Sequence, residues 1–182
     1  MKRIINYIPT IVLLTSGLAA CDSDDTSEVN GETAQLAMTA LSTSTQDAML
    51  RYQAQLGEGE RTTVECAQGG SAFVEGDVLV EVDPVLVDVD LGIDYDGCIT
   101  PRDVQLDGTV DFAQQVVVGG GDTVRVETTF AGDTTFSGAI NAACIVDVHV
   151  LVDVTGKLVS VEGQACGHDA GSFDLTIMPH WR

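Results

Sequence analysis

From Thr62 to Ile177 apolar residues recur at every second position. Val78, Val80 and Val82 alternate with Asp77, Leu79 and Glu81. Val85, Val87, Val89, Leu91, Ile93 and Tyr95 then share one face, while Asp88, Asp90, Asp94 and Asp96 share the other. The pattern returns in Val104, Leu106, Val110, Phe112, Val116 and Val118, is broken by a turn at Gly119-Gly120-Gly121-Asp122, and resumes in Val124, Val126 and Phe130. A long run from Cys144 through Val146, Val148, Val150 and Val152 to Val154 meets Thr155-Gly156, and Val159 and Val161 follow. Phe173, Leu175 and Ile177 close the series. One apolar and one polar face describe an antiparallel sheet with a wet side. No helix-length segment separates the runs, which excludes parallel crossovers. The expected fold is all-β, an antiparallel meander of about eight strands over residues 62–178. Its apolar face needs a cover, so the sheet curls into a barrel or half-barrel, or folds into a sandwich, and the short turns favour the up-and-down form.

Ahead of the strands the period changes. Ala34, Ala37, Met38, Leu41, Ala48, Met49, Tyr52 and Leu56 recur at three and four, which predicts one amphipathic helix over 33–58, packed on the sheet and ended by Gly57 and Gly59. Ser42-Thr43-Ser44-Thr45 is a poor helix interior, and Ser44 with Asp47 could cap a second segment. Residues 21–32 are acidic and polar with almost nothing to bury, and read as a disordered tether.

The first twenty residues are of another kind. Lys2 and Arg3 precede the apolar Ile11-Val12-Leu13-Leu14, and small residues lead to Leu18-Ala19-Ala20-Cys21. This is the plan of a secretory signal, 1–20, interrupted by Asn6 and Pro9 and too short for a membrane helix. The Leu-Ala-Ala-Cys ending resembles the lipobox of bacterial lipoproteins. The resemblance implies cleavage before Cys21, acylation of its thiol by palmitate-class chains, and a mature protein held at the membrane of the cell envelope through that lipid, facing the periplasm or the cell surface. Asp22 fits an inner-membrane retention rule of some lineages, and the choice of membrane stays open. Several acyl chains make a stable anchor where one gives weak binding.

Removing residues 1–20 takes two of the eight basic residues and none of the 28 acidic ones, so the mature charge is −22. Such a surface repels nucleic acid and anionic headgroups. Four cysteines remain, Cys66, Cys98, Cys144 and Cys166, an even number that in an exported chain reads as two disulfides. Three connectivities are open, and strand register separates them. If Thr155-Gly156 is a two-residue hairpin loop, Val152 meets Val159 and Val150 meets Val161, which puts Cys144 opposite Gly167 and Cys166 opposite Ile145. A single bulge in the Cys144 strand, near Ala142-Ala143, would bring the two cysteines into line. The expected bridges are therefore Cys144–Cys166 and, by elimination, Cys66–Cys98, the second stapling the start of the sheet to a turn at Gly97.

The sharpest candidate for chemistry is the acidic ladder Asp88, Asp90, Asp94 and Asp96, a weak calcium candidate by its oxygen donors. Same-face residues are about 7 Å apart on a straight strand, which does not wrap an ion, and Gly92 stands where an EF-hand needs a ligand. The favoured reading is a solvated sheet face that resists edge aggregation. His149, His168 and His180 read as solvated, and no catalytic or zinc motif is present. The expected role is non-catalytic, without a cofactor, as a lipid-anchored structural or interaction module with an envelope protein as partner. The alternative is a carrier for an apolar ligand, held in the concave sheet face under the helix.

Overall fold

The computed structural model describes residues 11–14, 29–55, 61–82, 85–118, 124–153, 158–173 and 176–179. Cys21, most of the tether, His180 and the turns at 119–122 and 155–156 lie outside them. The elements in chain order are β1 (Ile11–Leu14), α1 (Gly31–Gln55), β2 (Thr62–Glu65), β3 (Ser71–Val82), β4 (Val85–Ile99), β5 (Val104–Val118), β6 (Val124–Gly138), β7 (Ala142–Asp153), β8 (Leu158–Ala165), β9 (His168–Asp169), a 3-10 turn (Ala170–Ser172) and β10 (Thr176–Pro179). Strands β2 to β9 form one eight-stranded antiparallel sheet in sequence order, an open meander that does not close into a barrel. β1, inside the expected signal segment, pairs antiparallel with β10 in a separate ribbon, Leu13 opposite Ile177. The large sheet therefore ends at Asp169, and neither Phe173 nor Ile177 extends it, contrary to the sequence reading.

The helix begins where Asn30 caps it. The Asn30 side-chain oxygen accepts the Thr33 N–H at 2.8 Å and its carbonyl accepts the Ala34 N–H, so the tether yields Gly31 and Glu32 to α1. Nor does the helix break at Ser42–Thr45. Thr39 and Thr43 donate their hydroxyls to the carbonyls of Gln35 and Thr39, 2.8 Å each, and Thr45 shares a 2.9 Å bond with the Tyr95 hydroxyl. Met38, Thr39, Ala40, Leu41, Ser42, Ser44 and Thr45 are all buried, although they point all round the axis. Only one stripe, marked by Thr43 and Leu50, stays exposed, so the helix is sunk in a hollow over most of its circumference. α1 touches β2, β3, β5 and β7. Small side chains are what so narrow a hollow accepts, and each hydroxyl that turns back on the backbone removes its own burial cost.

Register stacks the inward residues in layers across the strands. One layer runs Gly76, Leu91, Phe112, Phe130, Val148, Gly163. The two phenylalanine rings meet at its centre, 5.3 Å between centroids. The glycines stand at its flanks with φ of +143° and +105°, where an added Cβ would lie 2.0 Å from the carbonyl oxygens of Asp90 and Asp147. Bulk in the middle and close strand approach at the sides bend the sheet around its core.

Both disulfides form in the expected pairing. Cys66–Cys98 spans 5.5 Å between Cα atoms and Cys144–Cys166 spans 4.2 Å. The route to the second differs from expectation. β7 carries no bulge: its ladder with β6 is unbroken from Asp153 to Ala142, and its ladder with β8 holds the hairpin register as far as Val146 opposite Ala165. Instead Cys166 leaves the ladder in the left-handed region, φ +54°, its N–H on the Ile145 carbonyl at 3.1 Å, and Gly167 follows at φ +80°. That turn brings the offset cysteine back to Cys144. Gly97 likewise is no turn but lies within β4, where the register with β5 shifts between Tyr95 and Cys98, and its N–H is held by Asp107 at 2.8 Å.

Candidate functional site

The open sheet has two lateral strands, and they are finished differently. β2 pairs only with Ser71–Val74 of β3. Beyond that point, among the described residues, no strand lies on the outer side of Glu75–Val82. The Gly76 carbonyl accepts the Tyr52 hydroxyl at 2.9 Å, so it faces away from β4. By the two-residue period, the backbone groups of Val78, Val80 and Val82 face the same free side. Leu79, Val80 and Val82 are 63, 58 and 71% exposed, and Glu75, Asp77 and Glu81 are exposed between and beside them. On β4 behind this edge, Asp90 stands opposite Asp77 and Asp88 opposite Leu79. At the other side, β9 pairs with Gln164 and Ala165 of β8. The 3-10 turn then closes on β8, where a Cβ at Gly171 would meet the Val161 carbonyl at 3.0 Å. Asp169 caps that turn through the Gly171 N–H at 2.9 Å.

Asp88, Asp90, Asp94 and Asp96 lie together on the outer face of β4, as the alternation predicts, with Val87, Val89, Leu91, Ile93 and Tyr95 buried behind them. They form a row and not a cup. Among the described residues no three His, Cys, Asp or Glu side chains converge to hold a metal ion. Asp94 pairs with Arg61 at 3.3 Å, and that guanidinium lies over the Phe73 ring, 5.1 Å from its centroid. His149 meets Glu127 on the neighbouring strand at 2.8 Å, rather than Asp147 or Asp153 on its own. His168 is only half-buried, yet its Nε2–H donates to the Val29 carbonyl, which ties the entry of α1 to β9. It is thus a structural contact and not the solvated side chain expected.

Three inward polar residues of the sheet escaped the sequence reading, Gln114, Thr128 and Thr134. Gln114 and Thr128 are cross-strand partners on β5 and β6, and Gln114 donates to the Thr128 hydroxyl at 3.2 Å. Gln114 is 6% exposed, and its Oε1 has no hydrogen-bond partner among the described residues. Their neighbours along the layer are Val89 and Val150. The available signal was register: stepping from Phe112 to Val116 and from Val126 to Phe130 passes over two polar residues on the apolar face. Burial also pushes the Tyr95 phenol well above the usual tyrosine range, against a smaller opposing effect of its bond to Thr45. Tyr52 is raised by burial first and by the Asp77 carboxylate second. A cavity of about 150 Å³ opens between α1 and the first hairpin, against Ala48, Val64, the Cys66–Cys98 bridge and Pro101.

No protein-family model, curated protein or solved structure matches this chain. No helix among the described residues is long and apolar enough to cross a membrane.

Proposed function

We propose that the chain is a bacterial cell-envelope lipoprotein, anchored by acyl chains on Cys21, whose folded domain has a non-catalytic structural or protein-interaction role. The observation that carries this reading is the sequence Leu18-Ala19-Ala20-Cys21 behind a cationic and apolar leader. Two disulfides agree with it, because such bridges persist in exported proteins. An acidic outer face keeps a tethered domain soluble beside a membrane and free of nucleic acid. Replacing Cys21 by Ala tests the anchor. Intact-mass analysis of the membrane fraction is expected to lose the acyl mass, with unprocessed precursor accumulating. A mature amino terminus elsewhere in the wild type, carrying no acyl chain, would overturn the reading.

Gln114 favours a second reading, a carrier whose apolar ligand brings one hydrogen-bond donor to the unpartnered Oε1. Native mass spectrometry of protein purified from its host tests it. A co-purifying apolar molecule that is lost in Gln114→Leu supports the carrier, and an empty chain removes it.

A further inference from the structure

We propose that the edge of β3 that no described strand covers, Glu75–Val82, docks an extended segment of a partner protein, which adds to the sheet as a further strand and carries basic residues between apolar ones. This rests on the interaction role proposed above and names its surface.

The backbone supplies the first argument. Outward N–H and carbonyl groups of Val78, Val80 and Val82 form a template that an extended chain completes, and strand addition draws its affinity from such bonds. The side chains supply the second. Leu79 projects from the outer face of the sheet and Val80 and Val82 from the inner face, and all are more than half exposed. An added strand therefore finds apolar contacts on both sides of the backbone.

Charge decides the occupant. Pairing of β3 with β3 of a second copy, antiparallel and with the outward groups matched, allows few registers. Centred on Leu79 it sets Asp77 against Glu81 twice, and centred on Val78 it sets Glu75 against Glu81 twice. Like charges directly opposed weaken a strand pair, and a mature charge of −22 pushes whole copies apart. A segment with Lys or Arg facing Glu75, Asp77 and Glu81 turns the same positions into attraction, reinforced from behind by Asp88 and Asp90. An isolated exposed edge invites aggregation unless charges guard it. Here the guards are all of one sign, so they exclude copies of this chain and admit a basic strand.

The test uses the full chain in mild detergent and a capped seven-residue peptide alternating valine and lysine. Fluorescence anisotropy is expected to show saturable binding that weakens with salt. Val80→Pro removes one outward N–H and leaves the ladder to β4 intact, and it should weaken binding at least about tenfold. A peptide of the same composition with its lysines in one block should bind far more weakly, because the alternation is lost. Hydrogen exchange on the wild type gives a reading independent of the variant: bound peptide should slow the amides of Val78, Val80 and Val82. Absence of that protection, equal binding of the blocked peptide, or binding indifferent to Val80→Pro in a folded variant would each overturn the proposal. So would concentration-dependent self-association abolished by Val80→Pro, which would assign the edge to a second copy. Loss of the Cys21 anchor leaves this binding unchanged, so the two proposals fail separately.

Discussion

At the β8 side of the sheet a disulfide, a two-residue strand and a capped 3-10 turn follow one another within eight residues, Cys166 to Phe173, and together they line the outer side of Val161–Ala165. At the β3 side the disulfide and the short strand come before the exposed stretch rather than after it. Cys66–Cys98 and β2 secure Ser71–Val74, and on the outer side of the eight residues beyond no described strand lies, only the Tyr52 hydroxyl reaching the Gly76 carbonyl. Both sides contain a glycine at the same layer with the same 2.0 Å approach to the next strand. The sheet is thus bent alike at both flanks but finished at one. Closing an edge takes chain that returns to it, and the two sides differ in whether the following or preceding residues do so.

The largest test of this contrast removes the bridge on the finished side. Cys144→Ser with Cys166→Ser should cost about 3 kcal/mol by the loop-closure model, read as a fall in the denaturant midpoint. Amide exchange in β8 should rise with it while β3 is unmoved. Equal loosening of both edges would show that the bridge acts on the whole domain and not on its own side.

Next come the paired glycines. Gly163→Ala forces a Cβ against the Asp147 carbonyl on the finished side and should destabilise by about 2–3 kcal/mol. Gly76→Ala meets the same clash with Asp90, but an unpartnered strand has room to move outward, so its cost should be visibly smaller. Equal costs would mean that the β3 edge is as firmly held as the other.

Tyr52→Phe should cost about 1 kcal/mol by releasing the Gly76 carbonyl, with faster exchange at Asp77 and Leu79, whose amides face β4. Alkaline pH acts in the same direction. Tyr52 and Tyr95 have raised phenol pKa values in the folded chain, so the unfolded state loses those protons first, near pH 10. Stability should therefore fall as pH rises through 10, and less steeply in Tyr95→Phe. A flat profile there would contradict the burial of both hydroxyls. The smallest effect is expected of Leu79→Lys, within about 0.5 kcal/mol of the wild type because the side chain is already mostly in water.

Much of this was legible in the chain. Period-two alternation located the strands, and the Val150–Val161 and Val152–Val159 pairs fixed a register whose extrapolation reached the correct disulfides. What alternation does not encode is departure from the ladder. Cys166 solves the offset through a left-handed turn, which no apolar pattern announces. The Ser42–Thr45 stretch looked like a break because propensity weighs a helix in water, whereas here Ser42, Ser44 and Thr45 are buried and the hydroxyls of Thr43 and Thr45 find the Thr39 carbonyl and the Tyr95 hydroxyl. The exposed edge was hidden for a similar reason. Val78–Val82 alternates like any interior strand, and its exposure depends on neighbours that lie elsewhere in the sequence.

The two disulfides have one more property: each joins a cysteine to the next one along the chain after Cys21, first with second and third with fourth. If the chain is exported with Cys21 acylated, as proposed above, threading amino-terminus first into an oxidising compartment delivers Cys66 and Cys98 while Cys144 and Cys166 are still on the far side of the membrane. Simple oxidation in order of arrival then yields the native bridges, since each cysteine meets its partner before a competitor emerges. Such a chain matures without the proofreading that crossed connectivities require, and loss of the host's disulfide isomerase should leave its yield unchanged where loss of the oxidase does not.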